Sequence, residues 1–144
     1  MNTSHTLEQM QQLRFQGMYQ AYRSQLELPL NQQLEGHDLL AHLLQAEELN
    51  RSNEKTAYYL KLARLRLPAT IEQIECSASR NLTKQQLAVL AEGRYLHHGD
   101  NILITGSTGC GKSFLACALG HQCCLQAQKT TYLNMNRFIE KVTL

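Results

Sequence analysis

The stretch ILITGSTGCGKS at residues 102–113 decides which fold the sequence predicts. It opens with apolar and β-branched residues, which favour a β-strand. The part from Gly106 to Ser113 fits the spacing G-x-x-x-x-G-K-S and runs into an apolar segment of helical character. Glycines at such positions let the backbone curl, so that successive N–H groups meet an anion at the N-terminus of the following helix. Strand, loop and helix in this order predict a phosphate-binding loop.

Each residue type in this loop predicts a separate contact with a nucleotide. Lys112 is long enough to reach the β- and γ-phosphates, and the Ser113 hydroxyl can ligate a Mg²⁺ ion that bridges the same oxygens. Ser113 is therefore the predicted metal ligand. The alternative is a glycine-rich turn with a solvated lysine, which the strand-to-helix context disfavours. The predicted nucleotide-binding residues are Gly106, Ser107, Thr108, Gly109, Cys110, Gly111, Lys112 and Ser113.

Length and composition predict a soluble globular chain with one domain or two small ones. The chain has 144 residues, 43% of them hydrophobic, and a formal net charge of +2, which by itself does not indicate nucleic-acid binding. No apolar run approaches the ~18 residues of a membrane span, and no apolar signal core follows Met1. We therefore expect a cytoplasmic location and no membrane partner.

The five cysteines predict reduced thiols, because their number is odd and no C-x-x-C pair occurs. Cys117, His121 and Cys124 share one face of the helix predicted after the loop, at spacings i, i+4 and i+7. Zinc prefers such ligands, but that face normally packs in the core, where cysteine behaves as a small hydrophobe. Core packing is the favoured interpretation, with metal binding as the alternative.

The N-terminal part of the chain predicts a helical domain at residues 1–67. Apolar residues recur at helical spacing from about Thr6 to Leu26, and a second helix is predicted from Asp38 to about Arg66. That helix is long for a globular protein, so a break near residues 50–53 stays open. Pro68 and the polar residues after it predict a linker at residues 68–83.

Residues 84–144 predict the first βαβ part of a P-loop domain. A capping box formed by Thr83 and Gln86 begins a short helix before the loop. After the loop, an apolar helix is followed by a second β-run at residues 130–133 and by a helix that Asn134 or Asn136 caps. The crossover predicts parallel strands. The predicted fold class is therefore α/β, with a helical N-terminal domain followed by parallel strands and helices.

A basic stretch at residues 51–66 makes DNA a candidate partner. Tyr58 and Tyr59 interleave with its cations, and Glu54 is its one acidic residue. Such a face can neutralise DNA phosphates, while tyrosines pack on sugar or base. From the charge pattern alone, a solvated helix face is the stronger interpretation. The candidate DNA contacts are Arg51, Lys55, Lys61, Arg64 and Arg66.

The acidic residues that ATP hydrolysis needs are not evident in the sequence. A P-loop ATPase places an acidic residue at the end of another apolar strand to organise Mg²⁺. The two aspartates, Asp38 and Asp100, precede the second helix and the first predicted strand. Two predicted strands would also make a small α/β core. We therefore expect half of an ATP site, without catalytic residues, in a chain truncated at its C-terminus.

The whole chain resembles the N-terminal part of the IstB-like transposition helper ATPases, relatives of the DnaC-type replicative helicase loaders. The matching segments are LRFQGM at 13–18, LLQAE at 43–47, RLRLP at 64–68, TIEQI at 70–74, GDNILI at 99–104 and the loop with its helix at 106–116. The resemblance implies an AAA+ module that binds ATP and Mg²⁺, assembles into oligomers on DNA and acts with the transposase of the same insertion sequence.

Departures from the family pattern limit what the resemblance implies. Ser107, Ser113 and Phe114 stand where the family usually has proline, threonine and histidine. The family's Mg²⁺-binding acidic motif, sensor and arginine finger would fall after residue 144. The sequence thus predicts an ATP-binding helper protein that hydrolyses ATP inefficiently. The alternatives are a helicase loader of the same branch and a non-catalytic helical module that binds DNA or protein.

Overall fold

The computed structural model describes residues 2–143 and is built from helices joined by turns. The α-helices are α1 (Thr3–Gln12), α2 (Gln16–Leu26), α3 (Gly36–Ala63), α4 (Lys84–Glu92), α5 (Arg94–His98), α6 (Lys112–Leu125) and α7 (Met135–Thr143). Short 3-10 turns lie at Leu30–Gln32, Ile71–Gln73 and Ala78–Arg80. The chain divides into two compact units, Met1–Lys55 and Thr56–Leu144, which are described separately.

The predicted α/β fold with parallel strands is wrong, because residues 2–143 form helices and contain no β-strand or sheet. Both predicted strands, 102–105 and 130–133, are irregular, and the side chain of Leu103 is 89% exposed. The Tyr132 N–H donates to the carbonyl of Ala63, 2.8 Å away at the end of α3. A strand exists only when a neighbour pairs with its backbone groups. β-Branched residues favour a strand but do not supply that neighbour.

In the first unit, α2 packs closely against α3. The helix predicted from about Thr6 to Leu26 is interrupted, because Arg14 adopts a φ of +61° between α1 and α2. Gly17 of α2 is buried against α3, and a Cβ atom there would lie 2.6 Å from the carbonyl oxygen of Ala46. Glycine therefore permits a close approach of two backbones that no larger residue would allow.

Helix α3 runs without a break through residues 50–53, where an interruption was a possibility. It ends at Ala63, earlier than expected, since Arg64 adopts a left-handed φ of +50°. A left-handed residue directly after the last helical residue is a common way to end a helix.

The core of the second unit forms where residues after α3 pack on α6. Ala69, Cys117 and Ala118 are fully buried at its centre. The partly buried residues packed against it are Leu65, Leu67, Ile71, Ile74, Phe114 and Tyr132. Ala69, Ile71 and Ile74 belong to the segment predicted as a linker, and they take part in this core. Apolar residues alternate with polar ones in this segment, so its apolar side chains can pack while the polar ones stay exposed.

Helix α4 is capped at both of its ends, by its own residues at the start and by a residue that follows α6 at the end. The capping box of Thr83 and Gln86 is confirmed, with hydrogen bonds of 3.0 and 3.1 Å between each side chain and the backbone N–H of the other residue. At its C-terminal end, Gln126 Nε2 donates to the carbonyl oxygens of Ala91 and Glu92 at 2.7 and 3.3 Å. A side chain beyond α6 therefore satisfies carbonyls that a helix end leaves without intrahelical donors.

Among the helices of residues 2–143, none combines the length and the apolar character that crossing a membrane requires.

Candidate phosphate-binding loop and its surroundings

Two glycines of the loop adopt backbone conformations that other residues disfavour. Gly109 and Gly111 adopt φ values of +82° and +93°, in the left-handed region that side chains disfavour. Gly111 is the N-cap of α6, and Lys112 is the first residue of that helix. The structure thus places the end of the loop directly at a helix N-terminus, as expected, although no strand precedes it in the described residues.

The start of α6 offers backbone donors to a ligand. The N–H of Leu115 makes the first helical hydrogen bond, 3.0 Å from the Gly111 carbonyl oxygen. The N–H groups that precede it have no acceptor within the helix, and the helix dipole adds partial positive charge there. Ser113 is exposed in this first turn.

Lys112 folds back over the loop. Its Nζ atom donates to the carbonyl oxygen of Gly106 at 2.7 Å. The Cys110 sulfur lies against the same glycine, 2.7 Å from the position that a Cβ atom on Gly106 would take. The side chains of Lys112 and Cys110 therefore both lie over the start of the loop.

An open cleft of about 1360 Å³ adjoins the loop. Its other walls come from α4 and from the segment at residues 73–82, both of which precede the loop in the chain. Leu82, Val89 and Phe114 supply apolar surface, Arg80 supplies a positive charge and Glu75 a carboxylate. No sequence pattern had indicated that these residues line a cleft. The capping box located α4 along the chain, but the contacts that bring α4 to α6 have no sequence signal.

The cysteines of α6 confirm core packing. Cys117 and Cys124 are fully buried, and burial raises the pKa of the Cys124 thiol. Tyr95 Oη lies 3.3 Å from Cys123 Sγ, and desolvation together with this contact raises the pKa of the tyrosine. Within residues 2–143, no group of three or more His, Cys, Asp and Glu side chains is arranged to hold a metal ion.

The candidate DNA contacts fall in different units. Arg51 and Lys55 belong to the first, whereas Lys61, Arg64 and Arg66 belong to the second and are exposed. Arg51 is not simply solvated, because its Nε atom lies 3.1 Å from Oε1 of the buried Glu47. Its guanidinium carbon lies 5.6 Å from the ring centroid of Phe15. Spacing i, i+4 predicts the ion pair, but only the tertiary structure reveals the aromatic contact.

Residues 8–144 match the family model described as IstB-like ATP binding protein, and the chain belongs to this family. The match extends from α1 through the glycine-rich loop to the end of the chain. It therefore covers both units and includes every candidate nucleotide and DNA contact named above.

Several similar proteins have names that refer to insertion sequences. Over 145 residues and the full length of this chain, 37% of residues are identical to a Pseudomonas fluorescens protein named as an ATP-binding protein of insertion sequence IS1162. Two Sinorhizobium fredii proteins named as insertion sequence ATP-binding proteins, y4uH and y4pL, are 34% and 31% identical over 95% and 96% of this chain. The chain spans 63%, 55% and 57% of the three relatives' lengths.

Proposed function

We propose that the chain binds ATP with Mg²⁺ through residues 106–113. The observation that carries this proposal is the junction of loop and helix, where left-handed Gly109 and Gly111 place Lys112 and Ser113 at the start of the 14-residue α6. Phosphate oxygens would accept from the free N–H groups of the first turn. Ser113 would ligate Mg²⁺, which neutralises charge on the β- and γ-phosphates.

Lys112 would exchange partners when a nucleotide binds. Its 2.7 Å hydrogen bond to the Gly106 carbonyl would give way to one with a phosphate oxygen. A hydrogen bond between two charged groups is stronger than one to a neutral carbonyl, so the exchange favours binding. The adjoining cleft has apolar walls at Leu82, Val89 and Phe114 that suit a nucleoside.

The matched pair Lys112→Ala and Lys84→Ala tests this proposal. Both lysines are the first residue of a helix, but Lys84 does not line the described cleft. Titration of Mg-ATP by calorimetry should show that Lys112→Ala weakens binding by about tenfold or more, the equivalent of one charge-assisted hydrogen bond. Lys84→Ala should bind as the unaltered chain does. Equal affinity in all three proteins would contradict the proposed site.

We infer that the protein acts as an ATP-binding helper in transposition and contacts DNA. Family membership and the insertion-sequence names of the relatives support the helper role. Exposed Lys61, Arg64 and Arg66 support DNA contact, because they lie close together in the sequence at the end of α3. The transposase of the same element is the proposed protein partner. The proposal also includes self-association and a cytoplasmic location. Co-purification of the chain with a replicative helicase would contradict the helper role in transposition.

Salt dependence of DNA binding tests the phosphate contacts. Each lost contact should lower the slope of log affinity against log salt by about 0.9. We expect this reduction for Arg64→Ala and Arg66→Ala, measured by fluorescence anisotropy with a short duplex. Arg94→Ala is the control, since Arg94 is an exposed arginine of the same unit that pairs with Glu92 at 3.2 Å. Equal slopes for Arg64→Ala and Arg94→Ala would exclude a contact at Arg64.

We further propose that the 144-residue chain hydrolyses ATP slowly. Among the described residues that line the cleft, Glu75 alone has a carboxylate, and it belongs to the segment before α4. Phosphate release should therefore be much slower than that of a longer relative such as the IS1162 protein at equal ATP saturation. Comparable turnover would contradict this proposal without affecting the binding site.

A further inference from the structure

The guanidinium group of Arg51 is held from two sides within the first unit. Its Nε–H donates to Oε1 of Glu47 at 3.1 Å, and its Cζ atom lies 5.6 Å from the centroid of the Phe15 ring. Glu47 is itself fixed, because its other oxygen, Oε2, accepts from the backbone N–H of Met18 at 2.9 Å. One carboxylate therefore joins the start of α2 to the arginine of α3.

This arrangement leaves the two terminal nitrogens of Arg51 able to contact a ligand. The side chain of Arg51 is 61% exposed, whereas that of Glu47 is 8% exposed. In the part of the chain that the structure describes, no hydrogen bond engages the two terminal nitrogens of Arg51. An arginine fixed at Nε and over an aromatic ring has already lost much of its rotamer freedom. Its remaining donors form the planar fork that suits a phosphate group.

We propose that Phe15 and Glu47 are positioning residues that hold Arg51 for contact with a nucleic-acid phosphate. This inference rests on the proposed DNA binding. Because Glu47 carries the opposite charge 3.1 Å from Arg51 Nε, we expect the contact to depend strongly on the planar geometry of the guanidinium. A phosphodiester is the ligand expected, because the arginine is exposed on the outside of α3 and not enclosed in a pocket.

The alternative is an arginine that only stabilises the packing of α2 on α3. Both ideas predict that losing Arg51 destabilises the protein, so stability alone does not separate them. They differ for Arg51→Lys, which keeps the charge but lacks the planar fork. A phosphate contact made through the fork is lost in this variant, whereas a stabilising role leaves the DNA affinity of the folded protein unchanged.

The test measures duplex affinity by fluorescence anisotropy for the whole 144-residue chain, well below its unfolding temperature. Arg51→Lys should bind about fivefold more weakly. Phe15→Leu should bind about two- to fivefold more weakly, the equivalent of an exposed cation–π contact. Phe15→Tyr keeps an aromatic ring beneath the guanidinium and should therefore bind the duplex with wild-type affinity. Arg23→Lys is the matched control, since Arg23 has an exposed i, i+4 partner, Glu27, at 3.8 Å.

The double variant separates positioning from packing. If Phe15 acts through Arg51, then Phe15→Leu should have no further effect on affinity in the Arg51→Lys background. An equal effect of Phe15→Leu in both backgrounds, or wild-type affinity of Arg51→Lys, would overturn the inference.

Failure of the positioning role and failure of the proposed DNA binding give different results. If Arg64→Ala and Arg66→Ala weaken DNA binding while Arg51→Lys does not, only the positioning role fails. If the unaltered chain does not bind the duplex, DNA binding and the positioning role both fail.

Discussion

Helices α2 and α6 differ in how the exposed N–H groups of their first turns are used. Neither Phe15 before α2 nor Gly111 before α6 provides a capping side chain in the described structure. At α2 the buried carboxylate of Glu47 accepts from the N–H of Met18 at 2.9 Å. At α6 the loop residues curl around the helix start, and Ser113 of its first turn is exposed.

This difference separates a structural contact from a candidate ligand site. The structural contact, called the α2 joint below, is formed by Gly17, Met18 and Glu47. The same partial positive charge attracts an anion at both helix starts. At α2 the anion is a side chain of the protein, and Gly17 allows α3 to come close enough to supply it. At α6 the first turn faces a cleft, so the proposed anion is the phosphate of a nucleotide. An uncapped helix start is therefore informative only once its surroundings are known.

The largest expected effect is on the α2 joint. Gly17→Ala should lower the free energy of unfolding by about 3 kcal/mol, because the new Cβ would meet backbone atoms of α3, which cannot move aside. Urea unfolding followed by helical ellipticity measures the change. Gly120→Ala is the control and should cost less, since the nearest atom there, at 3.0 Å, belongs to the flexible side chain of Leu65. Equal costs at both glycines would contradict a close α2–α3 crossing.

Removing the capping carboxylate should have the next largest effect. Glu47→Ala leaves the Met18 N–H and the Arg51 Nε–H without their acceptor and should cost about 2 kcal/mol in unfolding free energy. Glu47→Gln keeps an acceptor for Met18 and should cost less. Ser113→Ala at the other helix start should leave stability nearly unchanged, because Ser113 is exposed. A cost for Ser113→Ala as large as that of Glu47→Ala would erase the distinction between the two sites.

Filling the α6 site with an anion should stabilise the protein by a smaller amount. Mg-pyrophosphate at ten times its Kd should raise the unfolding free energy by about 1.4 kcal/mol through binding to the folded state. At the same ligand concentration the gain should be lost in Lys112→Ala but retained in Glu47→Gln, which alters only the α2 joint. Equal stabilisation of Lys112→Ala would show that the anion binds elsewhere.

A third helix start should show the smallest effect. Helix α7 is capped by its own sequence, since Asn134 Oδ1 accepts from the Arg137 N–H at 2.8 Å. Asn134→Ala should weaken this helix by about 1 kcal/mol. Because every residue of α7 is exposed, the loss should appear as faster amide hydrogen exchange in α7 and leave the unfolding midpoint of the chain unchanged. Unchanged exchange at Phe138 would show that the cap contributes little.

Features that depend on neighbours in the sequence were predicted well. The capping box at Thr83 and Gln86 is confirmed, and of the two candidate caps for the last helix, Asn134 and Asn136, the structure has Asn134. Each of these caps joins residues three apart. The burial of Cys117 and Cys124 followed from their place on an apolar helix. The nucleotide contacts at residues 106–113 and the candidate DNA contacts stay predictions, although Gly109 and Gly111 of the loop are left-handed.

Features that depend on distant partners were predicted poorly. The runs at 102–105 and 130–133 have β-branched residues, yet the described residues offer neither run a strand to pair with. No glycine or proline marks the break between α1 and α2 in the sequence. The residue in the left-handed conformation there is Arg14. The contact of the Arg51 guanidinium with the distant ring of Phe15 also had no local signal in the sequence.

The sequence by itself determined the glycine-rich loop, the helix that follows it and the local caps. Each of these follows from backbone conformations and hydrogen bonds that span only a few residues. The tertiary structure alone decided that Glu47 caps α2, that Gly17 is a crossing point and that α4 lines the cleft beside the loop. These contacts join residues far apart in the chain, and their energies depend on packing and burial that no local pattern specifies.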